Sequence, residues 1–245
     1  MLPRAYRRLR SPVPAGMISG VSPRALAALV LVVLLIADIL ASWVGPGFDI
    51  AVGFGLILVL GLISVGCGLT WADLGLARSS WGSGLRWGAV CGGLVLAGYA
   101  VALSVPGLRS MVSGAAESAP GALLSAVVLI PLGTVVHEEF AFRGVLLALL
   151  RRARGRRFAV LASSALFGLW HIVPALSGGA GNAVVGEMAG SGGLGTVLQL
   201  VGTVLITGLG GVLLCELRLR SDSLLAPILV HWAVNAGGVL FVLLA

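Results

Sequence analysis

Apolar runs of about twenty residues recur down this chain, separated by short turns that carry arginine, and they leave few folds open. As a helix, such a run matches the roughly 30 Å hydrocarbon core of a bilayer at about 1.5 Å per residue. Runs of this kind cover residues 24–43, 49–69, 88–105, 121–150, 158–176, 194–217 and 223–245. A helix satisfies its own backbone hydrogen bonds in lipid. The fold class is therefore all-α: a polytopic membrane helical bundle of about seven transmembrane helices. Composition agrees, since a chain that is 58% hydrophobic and 10% charged lies outside the range of soluble domains. The expected location is a cell membrane, multi-pass, with the lipid bilayer as a partner. No polar stretch is long enough for a second folded domain. The chain divides into a basic arm, 1–23, N-terminal transmembrane helices over 24–120, and a core over 121–245.

The charge of +7 comes from arginine alone, because no lysine occurs. Every arginine except Arg109 and Arg143 falls in the arm or in a turn on one predicted side. Basic residues mark the cytoplasmic side, so the N-terminus is expected inside. The turn Arg151-Arg152-Ala153-Arg154-Gly155-Arg156-Arg157 reads as a topology anchor between two apolar runs, with no nucleic acid as partner. Trp71, Trp81 and Trp87 belong to a predicted interfacial connection at headgroup level. Asp38 lies near the predicted outer end of the first span, where a snorkelling side chain is expected. Cys67, Cys91 and Cys215 have no metal or disulfide spacing and read as packing residues. The Gly-rich loop 177–193, with Asn182 and Glu187, lacks the Lys-Ser/Thr ending of a phosphate cradle. The sixth run is rich in Gly and Thr, which favours close helix packing, and Gly208, Gly210 and Gly211 are expected to bend it.

Within the run 121–150 stands His137-Glu138-Glu139-Phe140-Ala141-Phe142-Arg143-Gly144. A charge at bilayer depth costs on the order of 3 kcal/mol. Glu139 and Arg143 are four apart, in the favourable order for a helical ion pair. Glu138 points about 100° away and has no partner at that spacing. A packing cluster of charges is one reading of these residues and a functional acid is the other.

Counting about 1.5 Å per residue from the adjoining polar turns puts Glu138 roughly 20 Å deep. The same count gives roughly 21 Å for His171 and roughly 14 Å for His231. Asn235 lies one turn beyond His231, and Phe167 one turn before His171. A lone histidine in an apolar helix is commonly a packing residue. Two that can meet an unpaired glutamate permit the activation of water. The imidazoles would hold that water, and the Asn235 amide could donate to a developing oxyanion. The reaction class is acyl-bond hydrolysis, with no Ser or Cys nucleophile elbow beside these residues. Glu138, His171 and His231 would also serve as zinc ligands with an open fourth position. His137-Glu138 begins an HExxH pattern, but Ala141 stands in place of the second histidine.

Glu138-Glu139-xxx-Arg143, Phe167-xxx-His171 and His231-xxx-Asn235 resemble, in order and spacing, the three motifs of the CAAX-protease and bacteriocin-processing (CPBP, Abi) intramembrane proteases. That family includes the Rce1-type prenyl-protein endopeptidases. The similarity covers about 121–240, making 121–245 a protease core. Leu74-Gly75-Leu76 and Ser223-Leu224-Leu225-Ala226-Pro227 also look familial. The resemblance implies a helical core with a cavity open to the cytoplasm and a protein or peptide substrate at the membrane. It implies Glu138 as general base, His171 and His231 as water-holding residues or metal ligands, and Asn235 as oxyanion donor. Glu139 and Arg143 would be a supporting pair. Two other classes stay open at this point. One is a non-catalytic immunity or chaperone-like protein that holds a peptide in the same cavity. The other is a transporter or proton channel, although no matching pair of broken helices is seen.

Overall fold

Length sorts the helices into spans and connectors. A computed structural model describes residues 21–44, 48–110, 118–176 and 193–245. The arm before residue 21, the turn 45–47, Glu117, Asn182 and Glu187 lie outside the described residues. The long helices are α1 (Pro23–Val44), α2 (Asp49–Gly66) and α4 (Trp81–Leu103), with the short turn α3 (Trp71–Leu74) before α4. After the short α5 (Pro106–Ser110) come the helical run α6 (Ala119–Leu176), then α7 (Gly193–Ser221) and α8 (Leu225–Leu244). No strand occurs among the described residues. Six of these segments are long and apolar enough to cross a membrane, α3 and α4 counting as one.

The expected seven crossings and these six segments agree, because α6 folds back on itself. Its 58 residues would reach roughly 87 Å if straight, far more than a bilayer needs. At Gly155 the backbone takes φ 80° and ψ −178°, a conformation that any side chain would strain. The two arms then run antiparallel. Ser163 Oγ donates to the Phe142 carbonyl at 3.0 Å, and the Phe142 ring meets Phe167 and Trp170 edge-on. A Cβ added at Gly155 would meet nothing within 4 Å, so a substitution there tests the backbone alone. Gly155→Ala should lower stability by about 1–3 kcal/mol, read as a fall in thermal midpoint in detergent. An unchanged midpoint would mean that the reversal does not depend on this dihedral.

Close contacts fix the other helices. A Cβ at Gly168 would lie 2.6 Å from the Val204 carbonyl, so the descending arm of α6 and α7 touch backbone to backbone. The expected bend at Gly208, Gly210 and Gly211 is absent. Helix α7 runs through all three; Gly208 and Gly211 lie against Ser164 of the neighbouring arm, while a Cβ at Gly210 would meet nothing within 4 Å. Helix α8 is clamped on two sides. Tyr99 Oη of α4 donates to the Val234 carbonyl at 2.9 Å, and Trp232 Nε1 donates to the Ala126 carbonyl at 2.7 Å. Helix α4 begins at Trp81 and so takes in much of the connection that was expected to lie at the interface.

The basic end of the bundle is latched from within. Asp73 and Thr70 cap α3 reciprocally, and Arg152 donates to the Asp73 carboxylate and to the Cys67 carbonyl, each at 3.0 Å. Arg218 donates to the Asp73 carbonyl at 2.9 Å and fills the space beside Gly75, where a Cβ would come within 2.3 Å of its Nε. Gly75 itself takes φ 76° to end the turn. Arg109 reaches the Ala245 carbonyl at 3.2 Å, which joins α5, between α4 and α6, to the end of α8, as an odd number of crossings requires. All three cysteines are free.

Candidate active site

The acidic stretch occupies a single α-turn, Val136–Glu139, set between two wider π-helical segments, Pro131–Val135 and Phe140–Leu146. Such wide turns are rare and frequent at functional sites. They hold Glu138 and Glu139 in the interior, with Glu139 and Arg143 fully buried.

Glu139 and Arg143 pair as their spacing predicts, Nη1 to Oε1 at 2.9 Å. The pair is more elaborate than a two-residue bridge. The same Oε1 accepts from His231 Nδ1 at 2.8 Å, and the Arg143 guanidinium lies 3.9 Å from the centre of the Phe167 ring. A carboxylate only accepts, unless protonated, so the proton at this contact belongs to His231 Nδ1. Nε2 is then the nitrogen that His231 can offer elsewhere.

His171 is fixed by the same logic. It closes the helix Leu147–Trp170, and its Nδ1 donates to the Phe167 carbonyl at 2.8 Å, again leaving Nε2. Phe167 joins the two histidines, meeting the His171 ring at 4.6 Å and the His231 ring at 5.9 Å, both edge-on. Asn235, one turn beyond His231 on α8, is half-buried, and its side-chain amide makes no hydrogen bond with the described residues.

Glu138 Oε1 accepts a long hydrogen bond, 3.4 Å, from Trp170 Nε1. Its field comes from the rings of His171, His231 and His137 and from the Arg143 guanidinium. Oε2 of Glu138 is buried with no protein partner among the described residues, as are Oε2 of Glu139 and Nε and Nη2 of Arg143. Buried polar atoms of this kind require a partner, and water is the smallest that can supply it.

The structure thus gathers Glu138, Glu139, Arg143, Phe167, His171 and His231 into one cluster, with Asn235 beside it. The histidine contact differs from expectation in one respect: His231 touches Glu139 directly, where Glu138 was the carboxylate expected to meet it. His137 points away, packed so closely on α2 that a Cβ at Gly53 would lie 2.7 Å from its Nδ1. Among the described residues no three His, Cys, Asp or Glu side chains are grouped so that they could hold a metal ion. Glu138, His171 and His231, as placed, do not make a zinc ligand set.

Two residues of the site were missed in the sequence. Trp170 could be suspected only from its place next to His171. Asp38, expected to snorkel near the outer end of the first span, lines a cavity together with Phe142 and Trp170. Depth counting from Arg24 would have put it about 21 Å in, level with Glu138.

Residues 120–237 match the family model described as Type II CAAX prenyl endopeptidase Rce1-like. No curated protein and no solved structure matches the chain.

Proposed function

This chain belongs to the Rce1-like family of type II CAAX prenyl endopeptidases, an integral membrane protease family, and on that premise we propose that it hydrolyses a peptide bond of a membrane-associated protein with water activated by Glu138. The observation that carries the reading is the unpartnered, buried Oε2 of Glu138 beside two histidines that each have Nδ1 occupied and Nε2 free.

The steps follow from those atoms. Glu138 Oε2 takes a proton from water, and the hydroxide adds to the substrate carbonyl carbon. The carbonyl oxygen becomes an oxyanion, which accepts from the Asn235 amide and from His231 in its protonated form. Glu139 orients the ring for that contact, because its carboxylate accepts from His231 Nδ1. His171 Nε2 accepts the second hydrogen of the attacking water and so orients it. The C–N bond then breaks, and Glu138 returns its proton to the leaving amine. A new carboxyl terminus and a free amine result, with the enzyme restored. Arg143 and Phe167 act on the reaction only by holding Glu139 and the rings.

The direct test is purified full-length protein in liposomes with a prenylated C-terminal peptide and an apolar membrane peptide as reporters, followed by mass spectrometry. A new terminus formed by the wild type and absent with Glu138→Gln supports the reading. If Glu138→Gln cleaves as the wild type does, the assignment of the base is wrong. Trp170→Phe keeps the ring and removes the indole donor to Glu138. It should lower kcat by about 3–10-fold with the thermal midpoint little changed, since one neutral hydrogen bond is worth about 1 kcal/mol.

A further inference from the structure

We propose that Asp38 of α1 forms, with the descending arm of α6, a side-chain subsite beside the active site that takes a cationic residue, lysine or arginine, of the substrate peptide. This inference rests on the proteolytic reading of the cluster.

A cavity of about 180 Å³ lies between α1 and that arm, lined by Leu34, Leu35, Leu166, Leu169, Trp170 and Asp38 among others. Whole small-molecule sites run to roughly 300–1,000 Å³, so this volume suits one side chain. Leu34 forms a buried part of the wall, while Leu35 and Leu169 are half exposed on the lipid-facing surface. A substrate strand held by the membrane can therefore approach it from the side.

The cavity reaches the catalytic cluster through shared residues. Trp170 lines it and donates to Glu138, and the lining Phe142 packs on Phe167. Asp38 lies within electrostatic reach of Glu138 and His171. Its carboxylate makes no hydrogen bond or ion pair with the described residues. Arg143 is the cation of the cluster, and its hydrogen-bonded partner is Glu139. A carboxylate on a membrane span without a cation is costly unless it serves a ligand or a pathway. Lysine and arginine fit the lining from end to end. Their methylene stems would lie along the leucines, and their charged heads would meet Asp38.

The test uses full-length Glu138→Gln protein in nanodiscs and three apolar peptides that differ only beside the bond to be cut, carrying Lys, Met or Glu. The Lys peptide is expected to bind about ten-fold more tightly than the Met peptide, and the Glu peptide more weakly than either. Adding Asp38→Asn should erase the order, Asp38→Glu should keep it, and Asp38→Arg should reverse it in favour of the Glu peptide. Equal binding of all three peptides, or an order that survives Asp38→Asn, overturns the subsite. Cleavage of the same peptides by the otherwise wild-type enzyme separates the two ideas. Binding preference without cleavage of any peptide leaves the subsite standing and removes the protease reading. Cleavage without preference does the reverse.

Discussion

Glu138→Ala and His231→Ala proteins should insert and fold, yet lose cleavage by about 10³-fold or more. General base catalysis by a positioned side chain is worth roughly 10²–10⁴-fold, and Glu138 is the acid of the cluster held by a single long hydrogen bond, while Oε1 of its neighbour Glu139 is engaged twice. His231 should be as sensitive, because Glu139 holds its ring with Nε2 toward the reaction. Glu138 gives up one long hydrogen bond and His231 one to Glu139, whose Oε1 keeps Arg143, so the folding cost of each, about 1–3 kcal/mol, is small beside the catalytic cost. The measurement is a single-turnover cleavage rate in liposomes beside a thermal melt of the same preparation. Cleavage within a few-fold of wild type, with either variant folded, would end the catalytic assignment.

Glu139→Ala should be the most destabilising single change in the site. It leaves the fully buried Arg143 guanidinium with no carboxylate, and the loss of one partner of a buried pair costs about 3–5 kcal/mol. The Phe167 ring under the guanidinium offsets this by about 2 kcal/mol at most. The thermal midpoint should fall by many degrees, and activity should fall too, since His231 loses the group that orients it. A double variant divides these effects. Glu139→Gln with Arg143→Met removes both charges together, which is often close to neutral for stability. That protein should melt near the wild-type midpoint and remain a poor enzyme, with kcat reduced far more than KM. If it regains activity along with stability, Glu139 acts only as a structural partner of Arg143. If Glu139→Ala melts at the wild-type midpoint, the pair contributes little to the fold.

Much of this site could be read without coordinates, because the relevant distances run along a single helix. The four-residue spacing of Glu139 and Arg143 fixes their pairing whatever surrounds them, and the 2.9 Å bridge follows from it. Depth is equally local, since residues counted from an arginine turn give height in the membrane at about 1.5 Å each. Height alone put Glu138, His171 and His231 in one layer. The same count applied to Asp38 would have added it.

Rotation about each helix axis was not legible. Whether His231 meets Glu138 or Glu139 depends on how α8 is turned by the Tyr99 and Trp232 contacts, which lie far apart in sequence. The π-helical segments on either side of the Glu pair also break the 3.6-residue phase on which any helical wheel relies. The sequence by itself determined which segments cross the bilayer, where they turn, and which ion pair lies buried, because lipid forces backbone bonds to close locally. The tertiary structure alone decided which carboxylate holds His231, that Trp170 reaches Glu138, and that Asp38 shares a cavity with Trp170. Those contacts join side chains from different helices, and only the packing of one helix on another sets where each face is turned.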